Sequence, residues 1–353
     1  METIEEDNNN NNNNDNDNDP NCKDIINNDG EYSKNDIYNG LGLCELLGEG
    51  TYITSYKYRV LNKSLFPSTS YYVTLNKIKV KSSTATQGDN YVKDLVQRLY
   101  EYQIHCNHPN ISRVFKIYTK GKLKIRVFRE YGERSLESLY DYRFTPLQIK
   151  SIMFQLVQAV NHLHQFDIVH GSIISRRILF TSGVVGNINK NIDLLPIKVK
   201  LVYSPSPSKY TGYVAPEKLV EYINVDYDDD IKYQQNNHIK PTISSDIWAL
   251  GRIFYNLLNG PYYPSHIQYS DMVGYLYSLF QLLGTPTKES WPSINSSYFP
   301  IFKGTSLIDL LPPSTDLLAI NLLKNMLVLN PDHRIDTFAA LEHPYFKDIL
   351  PQP

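Results

Sequence analysis

The chain has 353 residues, is 41% hydrophobic and carries a formal net charge of −2. That length suits one large domain or two lobes plus a tail, with enough apolar residues for a sizeable core. Positive charge is not concentrated along the chain, which argues against nucleic acid or an acidic membrane surface as a partner. Cys22, Cys44 and Cys106 show neither metal-ligand spacing nor a disulfide framework, as expected in a reducing compartment. No apolar N-terminal segment reads as a signal peptide, and no apolar run is long enough to span a bilayer. The expected location is cytoplasmic or nuclear.

Residues 1–36 form an Asn/Asp-rich tail, with an asparagine run from Asn8 to Asn14. Such a segment cannot bury enough apolar surface to offset its conformational entropy, so it is expected to be disordered. From about Tyr38 to Arg129 the pattern is mainly strands. Leu43–Leu47 runs into the Gly-rich turn Gly48-Glu49-Gly50, and Tyr52–Arg59 and Tyr71–Val80 are β-type stretches. A helix over Asn90–Ile104 interrupts them, and Val114–Tyr118 and Leu123–Phe128 resume the strands.

From Thr145 onward the pattern is helical, with Thr145 as N-cap and Pro146 at the first helical position. Ile149, Ile152, Met153, Leu156, Val157, Val160 and Leu163 recur at helix spacing. Ile247, Leu250, Phe254 and Leu257 line a second face, and Leu317, Ile320, Leu323 and Met326 a third; all are expected to be core. Ser182–Pro196 and the acidic stretch 222–240 read as inserted surface loops. The second has neither the Gly turn nor the terminal Glu of a calcium loop.

Leu47-Gly48-Glu49-Gly50-Thr51-Tyr52 resembles the glycine-rich loop of eukaryotic protein kinases, in the cyclin-dependent-kinase form. Further matches follow in order: Val73-Thr74-Leu75-Asn76, Asn107-His108-Pro109-Asn110, Ile168-Val169-His170, Ala215-Pro216-Glu217, Asp246-Ile247-Trp248-Ala249-Leu250-Gly251, and Arg334 before His343-Pro344-Tyr345-Phe346. Leu283-Gly284-Thr285-Pro286 and Trp291-Pro292 resemble a segment peculiar to the cyclin-dependent and related kinases. The resemblance implies an α+β, two-lobed protein-kinase fold over 37–350. A small β-rich lobe covers about 37–130 and a larger helical lobe about 131–350.

Phosphoryl transfer in kinases rests on positioning and charge neutralisation around ATP. At the positions the resemblance assigns to that task, this chain departs from the family. The phosphate-gripping lysine is Asn76, and its partner glutamate is Leu99. Lys77 follows Asn76 but is expected to face the other way, because strand side chains alternate. A β-bulge there or the neighbouring strand's Lys57 could supply a substitute; both lysines read more simply as surface residues. Glu101 lies about 200° round the helix from Leu99.

The His-Arg-Asp triplet reads His170-Gly171-Ser172, so the carboxylate that accepts the substrate proton is replaced by Ser172. The metal-binding asparagine is Arg177, the phosphate-steadying lysine is Ile174, and the magnesium-binding Asp-Phe-Gly is Tyr203-Ser204-Pro205. Ile53 and Ser55 replace the third glycine and the adenine-covering valine, and Arg129 takes the gatekeeper position. Thr211 has lost its phosphate-clamping arginine to Gly171. Thr51 and Tyr52 match the pair whose phosphorylation restrains cyclin-dependent kinases.

The residues that resemble the family's structural set remain: His170, Glu217, Asp246, Trp248, Gly251 and Arg334. A buried Glu217–Arg334 pair and an Asp246 tie to the catalytic-loop backbone are implied. The expectation is a pseudokinase that acts as a scaffold or allosteric partner of other proteins, with no metal. Leu47, Gly48, Gly50, Thr74 and Leu179 would form a vestigial nucleotide slot, open at most to weak, metal-independent ATP binding. The alternative is an unorthodox serine/threonine kinase with a relocated lysine.

Overall fold

The computed structural model describes residues 40–50, 53–66, 71–79, 85–120, 124–139, 141–181, 197–203, 212–223, 240–260, 272–294 and 299–349. The tail, Thr51, Tyr52, Ser182–Pro196, Ser204, Pro205, Thr211 and positions 224–239 of the acidic loop lie outside them. The chain divides into two compact units. One holds the described residues up to Asn107 together with Ser112–Tyr131; the other holds His108–Ile111 and the chain from Gly132 onward.

The first unit is an antiparallel sheet of β1 (Leu41–Glu49), β2 (Ile53–Val60), β3 (Tyr72–Lys79), β4 (Val114–Lys120) and β5 (Lys124–Glu130) in the order β1-β2-β3-β5-β4. Helix α1 (Ala85–His105) lies between β3 and β4 in the chain and begins five residues before the expected Asn90. Period-2 alternation puts Val73 and Leu75 on one face of β3, where they join Leu41, Tyr58, Val60, Phe66 and Phe128 in one buried cluster. Burying each such side chain contributes about 1.5–3 kcal/mol. Thr74 and Asn76 occupy the opposite face.

The second unit is mainly helical: α2 (Pro146–His164), α3 (Pro216–Ile223), α4 (Ile243–Asn259), α5 (Met272–Leu283), α6 (Leu317–Met326) and α7 (Thr337–Leu341). It also holds a small antiparallel sheet of β6 (Arg134–Ser135), β7 (Ile178–Phe180) and β8 (Val199–Leu201). Thr145 caps α2 as expected. Its hydroxyl accepts from the Gln148 amide while the Gln148 side chain accepts from the Thr145 amide, a reciprocal capping box. All seven apolar positions expected on the inner face of α2 are buried.

In α6, Ile320, Leu323 and Met326 are buried but Leu317 is 74% exposed, against expectation. Leu317 is the first residue of the helix, after the Asp316 cap, where the chain has only begun to pack. Gly251 of α4 allows a close approach: a Cβ there would lie 2.8 Å from Leu327 Cδ2 and 3.0 Å from Met326 Cβ. No described helix is long and apolar enough to cross a membrane.

Candidate functional site

Within the first unit, β3 pairs with β2 and β5 without a break in register on either side. There is therefore no bulge to turn Lys77 inward. Lys77 lies on the face opposite Asn76, with its Nζ 4.6 Å from the centre of the Tyr56 ring. Asn76 is buried and donates from Nδ2 to Ser55 Oγ at 2.6 Å across the β2–β3 pair. Asn76 and Ser55, two of the positions at which the sequence departs from the kinase pattern, thus satisfy each other.

Lys57 is not a simple surface lysine. It pairs across to Thr74 in register, so it shares the Asn76 face of the sheet. Its Nζ donates to Glu45 Oε1 at 3.1 Å and stands 4.6 and 4.7 Å from the ring centres of Tyr72 and Tyr131. Partial burial pulls its pKa down, but hydrogen bonds to Tyr131 and Glu45 outweigh that and leave it raised.

Leu99 is fully buried in α1, while Glu101 is exposed and accepts a hydrogen bond from Gln97 at 3.0 Å. Arg129 is also buried, and burial lowers its pKa to about 10, against the opposing influence of Tyr102 and Cys106. Of the slot residues on this unit, Thr74 is buried and Leu47 is 41% exposed. A Cβ added at Gly48 would meet open space, and the Gly50 amide closes the hairpin onto the Ile53 carbonyl at 2.8 Å.

Within the second unit, Asp246 organises the loop after α2. Its Oδ2 accepts from the His170 amide at 2.8 Å and its Oδ1 from the Gly171 amide at 2.8 Å; His164 Nε2 lies 3.0 Å from Oδ2. Gly171 adopts φ +70°, and a Cβ there would lie 2.5 Å from Pro241 Cγ. An arginine at this position would meet both a left-handed backbone and Pro241. Ser172 follows, buried, with its amide 3.3 Å from His170 Nδ1.

Arg177, also buried, donates from Nη1 to the Ser172 carbonyl at 3.2 Å. Tyr203 is buried edge-on against His170, ring centres 5.7 Å apart, and His170 Nε2 is 3.1 Å from the Val202 carbonyl. Burial holds the His170 pKa at about 4; Asp246 opposes that and Arg177 reinforces it. Leu179 sits on β7, so close to Gly132 that a Cβ on Gly132 would lie 2.6 Å from its own. Ser172, Arg177 and Tyr203 thus lie on the segments joined by the Arg177–Ser172 bond and the His170–Tyr203 contact. None of the three offers a carboxylate oxygen, and a guanidinium repels a cation, so this donor set does not suit Mg²⁺. Among the described residues no three or more His, Cys, Asp or Glu side chains group to hold a metal ion.

Two features escaped sequence reasoning. Asn110 donates to Gln155 Oε1 at 2.7 Å and to the Val199 carbonyl at 3.0 Å, which ties the His108–Ile111 segment to α2 and β8 within the second unit. The His108 ring lies tilted against that of His162, with ring centres 4.9 Å apart. Burial, His162 and Lys200 hold the His108 pKa down to about 4.

The two histidines make stability pH-dependent. Their folded-state values lie below the ordinary 6.5, so the unfolded chain takes up protons first as pH falls. Their contribution is complete above about pH 6.5 and is lost as pH drops towards 4. For the fully buried His170 the loss amounts to about 3 kcal/mol. Urea midpoints measured from neutral pH down to 4.5 are expected to fall, with a shallower slope in His108→Gln. Equal slopes for the two proteins would refute the role of His108.

Residues 43–346 match the protein kinase domain, so the chain belongs to the eukaryotic protein kinase family. It is 28% identical over 332 residues to Cell division control protein 2 homolog 3 of Trypanosoma brucei brucei, which covers 89% of this chain and 93% of that protein.

Proposed function

We propose that this protein-kinase-family chain does not transfer phosphate and works by binding other proteins, as a scaffold or allosteric partner in the cytoplasm or nucleus. The observation that carries this reading is the buried Arg177 guanidinium bonded to the Ser172 carbonyl. A fixed positive charge stands where the family resemblance puts a metal ligand, beside a serine where it puts the proton-accepting carboxylate. Asn76, bonded to Ser55, supports the reading from the other unit, since it brings no charge to an ATP phosphate. No metal is required, and any ATP binding is weak and metal-independent.

The alternative, a kinase with a relocated lysine, finds one observation in its favour: Lys57 shares a sheet face with Asn76. It would still need a new base and new metal ligands. The purified chain, incubated with labelled ATP and magnesium or manganese, is expected to transfer no phosphate to itself or to generic protein substrates above a Ser172→Ala control. Magnesium is expected to add nothing to any melting shift that ATP produces. Transfer that disappears in Lys57→Ala but survives in Lys77→Ala would establish the relocated-lysine kinase instead.

A further inference from the structure

From the geometry of the loop His170–Arg177 we infer an oxyanion site that takes a phosphate group without a metal, between the Arg177 guanidinium and the Ser172 hydroxyl. The inference deepens the non-enzymatic reading above and rests on it. Ser172 is 6% exposed and Arg177 8%. Ser172 Oγ is buried with no hydrogen-bond partner among the described residues. A buried hydroxyl left in that state costs about 1–3 kcal/mol, so an acceptor for its proton is favoured.

Arg177 holds the carbonyl of the same serine at 3.2 Å, so hydroxyl and guanidinium belong to one small patch. A guanidinium is suited to an oxyanion by charge and by its planar fork of donors. The patch is also rigid. Asp246 fixes the amides of His170 and Gly171, Pro241 closes against Gly171, and Tyr203 braces the His170 ring. Both Asp246 carboxylate oxygens already accept from the loop amides, which engages the nearby negative charge. His170, neutral near pH 7, neither adds charge nor competes. The chemistry recognised is a phosphate oxyanion, and two sources carry one: the terminal phosphate of a metal-free nucleotide and a phosphorylated side chain of a protein.

The test uses the full chain in EDTA, with melting temperature followed against inorganic phosphate at ionic strength matched by chloride. Wild type is expected to be stabilised in proportion to the logarithm of phosphate concentration. Ser172→Ala is expected to weaken the apparent affinity about tenfold, as loss of one hydrogen bond to a charged group implies. Ser172→Asp supplies its own anion beside Arg177, so it is expected to lose the phosphate response while melting no lower than wild type. Phosphate also stabilises proteins generally by exclusion from their surface. An equal response in wild type and both variants, or none in wild type, therefore overturns the site. Parallel titrations with ATP in EDTA and with a phosphoserine peptide identify the source, by which of them exceeds inorganic phosphate in affinity. Phosphotransfer with magnesium would end the non-enzymatic reading, while the phosphate response of the two Ser172 variants separately decides the anion site.

Discussion

Arg334→Ala is expected to destabilise the protein by about 3–5 kcal/mol, the cost of leaving a buried charge without its partner. Arg334 meets Glu217 in a two-pronged pair, Nη1 to Oε1 and Nη2 to Oε2, each at 2.9 Å, between side chains almost sealed from water. The same guanidinium donates to the Ser244 carbonyl at 2.7 Å and to the Val328 carbonyl at 3.1 Å from Nε, and it stacks 5.2 Å from the Trp248 ring. Truncation removes all of these at once. It strands the Glu217 carboxylate and unties the start of α3 from the start of α4 and the turn after α6. Because 117 residues separate the partners, the pair ties together distant parts of the second unit. Insoluble protein, or a urea midpoint lowered accordingly, is the expected measurement. Glu217→Gln keeps the shape and one acceptor, so it should lose less. A melting temperature unchanged by Arg334→Ala would refute the account.

Asp246→Ala is expected to have an effect of similar size, at roughly 1–3 kcal/mol for each buried donor left without an acceptor. The His170 and Gly171 amides and the His164 ring all turn to this one carboxylate, which is 1% exposed. The Gly171 conformation at φ +70° is held partly by that bond, so the loop carrying Ser172 is expected to relax. Amide hydrogen exchange can read this directly. Protection at His170 and Gly171 should collapse in Asp246→Ala and survive in part in Asp246→Asn, which retains one oxygen. Protection that persisted in Asp246→Ala would mean that the loop is held from elsewhere, by Pro241 and Tyr203. The result also bears on phosphate binding, since a mobile Ser172 could no longer share an anion with Arg177.

Both predictions concern residues named from sequence, yet their force comes from the structure. The fold was legible because ordered short motifs and local periodicities belong to the chain itself. Alternation in β3 placed Lys77 opposite Asn76, and the continuous ladder kept it there. Thr145 with Pro146 marked the start of α2, since a cap needs only residues three or four apart. Strands of two or three residues, such as β6 and β7, were not legible, because no period can be read from so few positions.

The sequence by itself determined which residue types stand at the kinase positions: Asn76, Leu99, Ser172, Arg177 and Tyr203. Only the tertiary structure decided what those residues do instead. Asn76 found Ser55 across a strand pair, and Lys57 was drawn between Tyr72, Tyr131 and Glu45 rather than left in solvent. Gly171 was fixed against Pro241, 70 positions away, and Leu317, apolar and in phase with its helix, was left facing water. Periodicity specifies a direction around a helix or strand. Burial, hydrogen bonding and charge depend on what the rest of the chain brings to that side, and partners distant in sequence meet only once the core has closed.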